Sequence, residues 1–488
     1  MASPGGDGPT GSLMAFDWEE QEAEVYLSGV GGYELSLDGK KMVVSRGGGA
    51  LFVVGTDGAP GDDLSEAAVD TADVVLDLHP AAEWRQIYQE AWRLQRDFFW
   101  DAGLGGLDWE AVGDRYASLL PLLGCRDDLR DLIGELIGEL SNSHTYVWGG
   151  DQGREQPWRS VGQLGAEVER VGDAWKVSRV YHGDPADNVR SPLAEPGVGV
   201  AEGAFLQAIN HRPFPANEPF YAALDGLAER EVVLTVSDKA EGGHTRDVVV
   251  TPTGDDRPLR YADWVRRNRE YVAAKTDGKM GYVHIPNMGT AGLVAFETWF
   301  YPQLDREGLV VDVRWNGGGF VSQLILERLR RTLVGYDRAR SGGVWSYPDS
   351  VLNGPFVVLT NEFAGSDGDI FPMAVQVTGI APVLGARSWG GVVGIRGDKP
   401  FVDGGLETQP EFAFWFPGRG WGLENRGVEP DIPVQNLPQD VAAGRDPQLD
   451  RAIEELQKLR AEGSWILPEF PPAPIKTREE YQRKEGKR

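Results

Sequence analysis

The apolar run Phe356-Val357-Val358-Leu359 empties into Asn361-Glu362-Phe363-Ala364-Gly365-Ser366-Asp367-Gly368-Asp369, and Ile370 to Val377 then reads as a helix. A short apolar run bounded by turn residues predicts a buried strand. Ser366 therefore falls on a strand–turn–helix corner, between Gly365 and Gly368. A serine there is lifted out of the sheet, and the helix beneath it offers free N–H groups to a developing anion. Few local folds fit such a corner, and one of its uses is a nucleophile. Ala364 departs from a full G-x-S-x-G pattern. The competing role for Ser366 is a helix N-cap.

A nucleophilic serine needs a base, and the base needs an orienting group. The chain has six histidines. His79, His182, His211 and His244 lie in polar or turn-like surroundings, and His284 lies inside an apolar strand. His144 stands apart, in Leu140-Ser141-Asn142-Ser143-His144-Thr145-Tyr146, at the end of a helical pattern. A second strand, Leu309 to Val313, runs into Asn316-Gly317-Gly318-Gly319. Glycines at a strand's C-terminal end let the backbone approach a ligand and aim N–H groups at it. Downstream lies Trp421-Gly422-Leu423-Glu424-Asn425-Arg426-Gly427-Val428-Glu429-Pro430-Asp431.

These four stretches, in this order, resemble the catalytic part of the tricorn proteases, relatives of the C-terminal processing peptidases. The resemblance runs from about Glu83 to Asp431. It implies Ser366 as nucleophile, His144 as base, and Ser143 interposed between His144 and the carboxylate Glu424. It further implies an oxyanion hole from the N–H groups of Gly319 and Asp367, and Asp337 as the acidic S1 residue, lent to a neighbouring subunit. A carboxylate there pairs with Arg or Lys at P1. The implied substrates are oligopeptides released by a proteasome-like machine. The implied active form is a homo-oligomer, trimer-based or hexameric.

The formal net charge of -27 argues against nucleic acid and anionic membranes. Cys125 is the only cysteine, so no intrachain disulfide forms, and its helix-rich setting suggests a structural thiol. No signal peptide and no membrane-spanning apolar run is visible, which gives a cytoplasmic reading. No nucleotide loop or metal-ligand cluster is apparent, so no cofactor is expected.

The predicted fold class is multidomain α/β. Residues 1–13, rich in Gly, Pro and Ser, are expected to be disordered. Residues 14–79 carry short strands and turns like a β-propeller remnant, and 80–160 form a helical subdomain. In the latter, Trp84, Ile87, Ala91, Leu94 and Phe98 share one face, as do Leu129, Leu132, Ile133, Leu136, Ile137 and Leu140. Residues 161–255 read as a PDZ-like β module, with Ala204 replacing the usual Asp. Residues 256–440 alternate strands and helices as a layered βαβ domain, and 441–488 form a helix and tail.

Two other functions compete. A C-terminal processing peptidase would use a Ser-Lys dyad, but the helix after Ser366 has no lysine, and the first one met is Lys399. A non-catalytic, PDZ-type peptide scaffold would not need Ser366, His144, Ser143 and Glu424 together. An inactive protease, misassembled for want of its propellers, is a third reading.

Overall fold

The computed structural model describes residues 11–488 apart from 62, 76, 154–158, 173, 184–188, 215–216, 353, 464–468, 475, 480–482 and 484–488. The chain divides into two compact units, one of residues 1–155 with 393–424, the other of 156–392 with 425–488.

The first unit opens with a hairpin, Gly11–Asp17 against Glu22–Val30, and a three-stranded sheet of Gly32–Leu35, Lys41–Ser45 and Leu51–Gly55. Its first strand already includes Gly11 to Leu13, part of the expected disordered stretch, because their backbone pairs with 27–30; residues 1–10 lie outside the described residues. Three helices follow, Pro80–Phe98, Trp109–Ala117 and Arg126–Gly138. Ile87, Ala91 and Leu94 of the first pack on Leu129, Ile133 and Leu136 of the third. Phe98, expected on that face, is instead exposed, with the Lys399 ammonium over its ring. Cys125 is exposed at the N-cap of the third helix, where Asp128 accepts its N–H at 3.2 Å.

Residues 393–424, placed by sequence within the domain over 256–440, pack in this unit. The reason is pairing. Leu406–Glu407 runs antiparallel to Val147–Trp148, and buried Arg126 meets Asp403 at 2.5 Å. Gln95 Nε2 donates to Glu407 Oε1 at 3.1 Å and to the Thr408 carbonyl at 2.9 Å. Burial pushes the Glu407 carboxyl well above its ordinary value.

Among the described residues, the second unit holds two large sheets and the hairpin Gly335–Arg338/Val344–Tyr347. One is antiparallel, in the order Thr245–Val250, Val232–Ser237, Phe205–Ile209, Ala174–Val180, Ala166–Val171, around Val177, Leu206 and Leu234. The other is five-stranded and parallel, with Met280–His284, Gly308–Asp312, Phe356–Thr360, Val383–Gly385 and Ile432–Pro433 side by side in chain order. Its strands are apolar on both faces, as a parallel sheet covered on both sides requires. Val311 and Val358 pack with Phe296, Ile325 and Phe371, from three helices on one side. Val310 and Val357 pack with Val265, Val272, Ile453 and Leu456, from helices Arg257–Lys275 and Pro447–Glu462, on the other. At the C-terminal end of the second strand, Arg314 is fully buried, paired with Asp312 at 2.7 Å and Asp446 at 2.9 Å. That pairing fixes the point at which the glycine loop leaves the sheet.

Candidate active site

In the second unit, Ser366 starts the helix Asp367–Thr378 with φ 58° and ψ −125°. This is a left-handed backbone that non-glycine residues adopt only under constraint. Its side chain makes no cap bond to the helix, so the N-cap role is not the one it fills. The glycine loop lies directly against it. A Cβ on Gly318, at φ 83°, would sit 2.3 Å from Ser366 Cβ, and one on Gly319, at φ 148°, would sit 2.0 Å from the Met288 carbonyl oxygen. No larger residue fits either place.

Two N–H groups beside Ser366 have no acceptor among the described residues, those of Gly319 and Asp367. The Asp367 N–H is the first of its helix, where no intrahelical carbonyl is available. The Asp367 side chain turns the other way, accepting from the N–H of Ser322 at 3.1 Å and from the Ser322 hydroxyl. It thereby caps the helix Ser322–Leu329 that follows the glycine loop, and burial raises its pKa. One turn on, buried Asp369 accepts from the N–H groups of Gly390 at 2.9 Å and Gly391 at 3.2 Å. Burial lifts its carboxyl to about 6.

In the first unit, Glu424 Oε1 accepts both the N–H and the hydroxyl of Ser143, each at 2.8 Å. Its Oε2 accepts the Val393 N–H at 3.0 Å, and the Val393 carbonyl accepts from His144 Nδ1 at 2.7 Å. A carbonyl only accepts, so Nδ1 carries the proton and Nε2 is left as the basic nitrogen. Thr408 braces the same strand, donating its hydroxyl to the His144 carbonyl at 2.9 Å and accepting the Tyr146 N–H at 2.8 Å.

Most of the chain is similar to known proteins. Three family descriptions match consecutive parts of the chain: Tricorn protease C1 domain over 80–138, Tricorn protease PDZ domain over 162–255, and Peptidase family S41 over 279–434. The chain is 43% identical over 457 residues to Tricorn protease homolog 1 of Streptomyces coelicolor, covering 93% of this chain and 42% of that protein. It is 37% identical over 462 residues to the Tricorn protease of Thermoplasma acidophilum, covering 94% and 42%. Among solved structures, the crystal structure of the tricorn protease superposes with a TM-score of 0.84 at 36% identity, over 92% of this chain and 44% of that one. The chain belongs to the tricorn protease family. It spans about two fifths of the length of these relatives.

Within this tricorn-family chain, the expected site residues fall into two groups. Ser366, Gly319 and Asp367 come together in the second unit, and Ser143, His144 and Glu424 in the first. The Ser143 hydroxyl donates to Glu424, and His144 Nδ1 donates to the Val393 carbonyl. That carbonyl carries no sequence signal. Asp337 lies exposed on the hairpin Gly335–Arg338/Val344–Tyr347, with no ion pair among the described residues, while Arg338 lies over the Phe470 ring. Lys399 pairs with Asp398 at 2.9 Å and Glu411 at 3.2 Å. His284 is buried with both ring nitrogens engaged, by the Tyr261 hydroxyl and the Arg314 carbonyl. His79, His182, His211 and His244 are exposed.

Proposed function

We propose that the chain is a serine peptidase that cleaves oligopeptides through an acyl-enzyme. The observation that carries this reading is Ser366 itself, held in a left-handed backbone without a capping bond, beside the unengaged N–H groups of Gly319 and Asp367. In this reading Ser366 attacks the peptide carbonyl and His144 Nε2 takes its proton. The oxygen that gains charge is met by the Gly319 and Asp367 N–H groups. Each such donor contributes about 3 kcal/mol to lowering the barrier. His144 then gives its proton to the leaving amine, and water releases the acyl group by the same steps in reverse. Glu424, through Ser143 and Val393, holds the histidine in place.

Asp337 is proposed as the S1 carboxylate for basic P1 residues, acting in a homo-oligomer that is trimer-based or hexameric. Its exposure and lack of an ion-pair partner on its own hairpin support that use. The β module over 162–255 is proposed to brace the catalytic domain or add a peptide strand at its edge. The N-terminal antiparallel strands are proposed as part of a propeller blade, and the setting as cytoplasmic, downstream of a proteasome-like protease. No helix among the described residues is long and apolar enough to cross a membrane.

The test is hydrolysis of a fluorogenic peptide with Arg at P1 by the wild type, Ser366→Ala and Asp337→Ala. Loss of all cleavage in Ser366→Ala, with selective loss of basic P1 cleavage in Asp337→Ala, supports the reading. An inactive wild type that also resists phosphonate labelling at Ser366 overturns it.

A further inference from the structure

The hydrogen bonds of the glycine loop can be followed residue by residue from 315 to 320. The Trp315 N–H goes to Asn361 Oδ1 at 2.9 Å, and the Asn316 N–H to the Val313 carbonyl at 3.2 Å. The Gly317 N–H goes to the Pro286 carbonyl at 3.4 Å, and the Gly318 N–H to Asn316 Oδ1 at 2.9 Å. The Phe320 N–H goes to the Met288 carbonyl at 2.6 Å. Only the Gly319 N–H has no acceptor among the described residues. Gly319 is half-buried, and its N–H is the one donor of this stretch left for an acceptor from outside the loop.

Two buried asparagines do much of this sorting. Asn316, at 0% exposure, also donates Nδ2 to the Ile285 carbonyl at 2.8 Å, and its own carbonyl accepts the Gly365 N–H at 2.9 Å. Asn361, at 3% exposure, lends its one side-chain oxygen to two N–H groups, Trp315 from the glycine loop and Phe363, at 3.3 Å, from the nucleophile turn. Trp315 is itself left-handed, at φ 58°, a conformation that this bond helps to hold. The Asn361 side chain thus ties the loop that carries one proposed donor to the turn that carries Ser366 and the other, while the Asn316 side chain braces the loop on itself and against Ile285.

We infer that Asn316 and Asn361 are positioning residues for the oxyanion hole. Asn361 takes up the Trp315 N–H and ties the loop to the nucleophile turn, Asn316 takes up the Gly318 N–H and ties the loop to Ile285, and the Gly319 N–H is thereby aimed before substrate arrives. This rests on the peptidase reading above. Neither side chain touches the reacting atoms, so the effect belongs in the transition state and not in substrate binding.

Asn361→Ala and Asn316→Asp test it on the full chain. The first removes the shared acceptor. The second keeps the acceptor for Gly318 but turns the donor toward Ile285 into a repelling oxygen, without opening a cavity. In both, kcat on the Arg-P1 peptide is expected to fall on the order of 10- to 100-fold, with KM within about twofold, while the buried change also lowers Tm. Affinity for a peptide aldehyde, whose bound hemiacetal places an oxygen in the same hole, should fall by a similar factor. Asn361→Asp keeps the accepting oxygen and should recover part of the loss. The inference is overturned if kcat stays within about threefold of wild type in both variants. It is equally overturned if kcat falls while aldehyde affinity holds, or if the loss appears in KM. A wild type with no cleavage and no labelling at Ser366 fails the peptidase reading itself, and this inference with it.

Discussion

Ser143 directs both its N–H and its hydroxyl to one oxygen of Glu424, at 2.8 Å each. The other oxygen reaches Val393, whose carbonyl holds the His144 ring. Glu424 is therefore the hub, and Ser143 is one of its spokes. Ser143→Ala removes one bond and leaves the backbone bond, so kcat should drop about tenfold, as for one charge-assisted hydrogen bond. Glu424→Ala removes all three and frees the histidine, a loss on the order of 10²- to 10⁴-fold. Steady-state kinetics on one peptide rank the two, and a larger defect in Ser143→Ala would contradict the arrangement.

Ser366→Ala should abolish peptide cleavage and phosphonate labelling while leaving stability nearly untouched. The reason is that the Ser366 hydroxyl caps nothing. A lost N-cap costs about 1 kcal/mol, so a thermal melt showing that drop would mean the serine is structural after all.

Gly318→Ala should be far more damaging than an alanine elsewhere on a loop. Its Cβ would meet Ser366 Cβ at 2.3 Å with φ at 83°. Overpacking and left-handed strain each cost about 1–3 kcal/mol. Denaturant melts should show their sum, and any folded protein recovered should lack activity. A variant with wild-type Tm and kcat would refute the close approach.

Asp369 gives a pH dependence with a definite sign. Burial moves its carboxyl from 3.8 to about 6. Between these values the folded protein keeps a proton that the unfolded chain has released. The stability that Asp369 contributes is thus complete below about pH 4 and is lost as pH rises through about 6, a total on the order of 3 kcal/mol. Asp369→Asn cannot ionise and should flatten that decline. Urea melts at about pH 4.5 and about pH 7.5 compare the two proteins, and parallel pH curves would rule the assignment out.

The parallel sheet was legible because its strands are uninterrupted apolar runs, Leu309 to Val313 and Phe356 to Leu359 among them. The corner at Ser366 was legible because glycines surround a serine between a strand and a helix. The packing of residues 393–424 against the helices of 80–138 was not, because it rests on long-range pairs such as Gln95 with Glu407 and Arg126 with Asp403, which leave no periodic trace. Nor could the sequence show that a backbone carbonyl, Val393, orients His144, since every residue has one. Asn316 and Asn361 were visible only as turn formers, because a side chain's choice of partner is decided by the folded backbone.

The bond between Ser143 and Glu424 spans 281 positions of sequence, and Ser366 lies between its two ends. A ribosome therefore delivers the nucleophile before it delivers the carboxylate that steadies the base. While the chain is still growing past Ser366, His144 has neither the Glu424 anchor nor the Val393 carbonyl. On the proposed reading, the nascent chain is inert by order of synthesis: the hydrolytic machinery is completed by almost the last piece of the catalytic region to emerge.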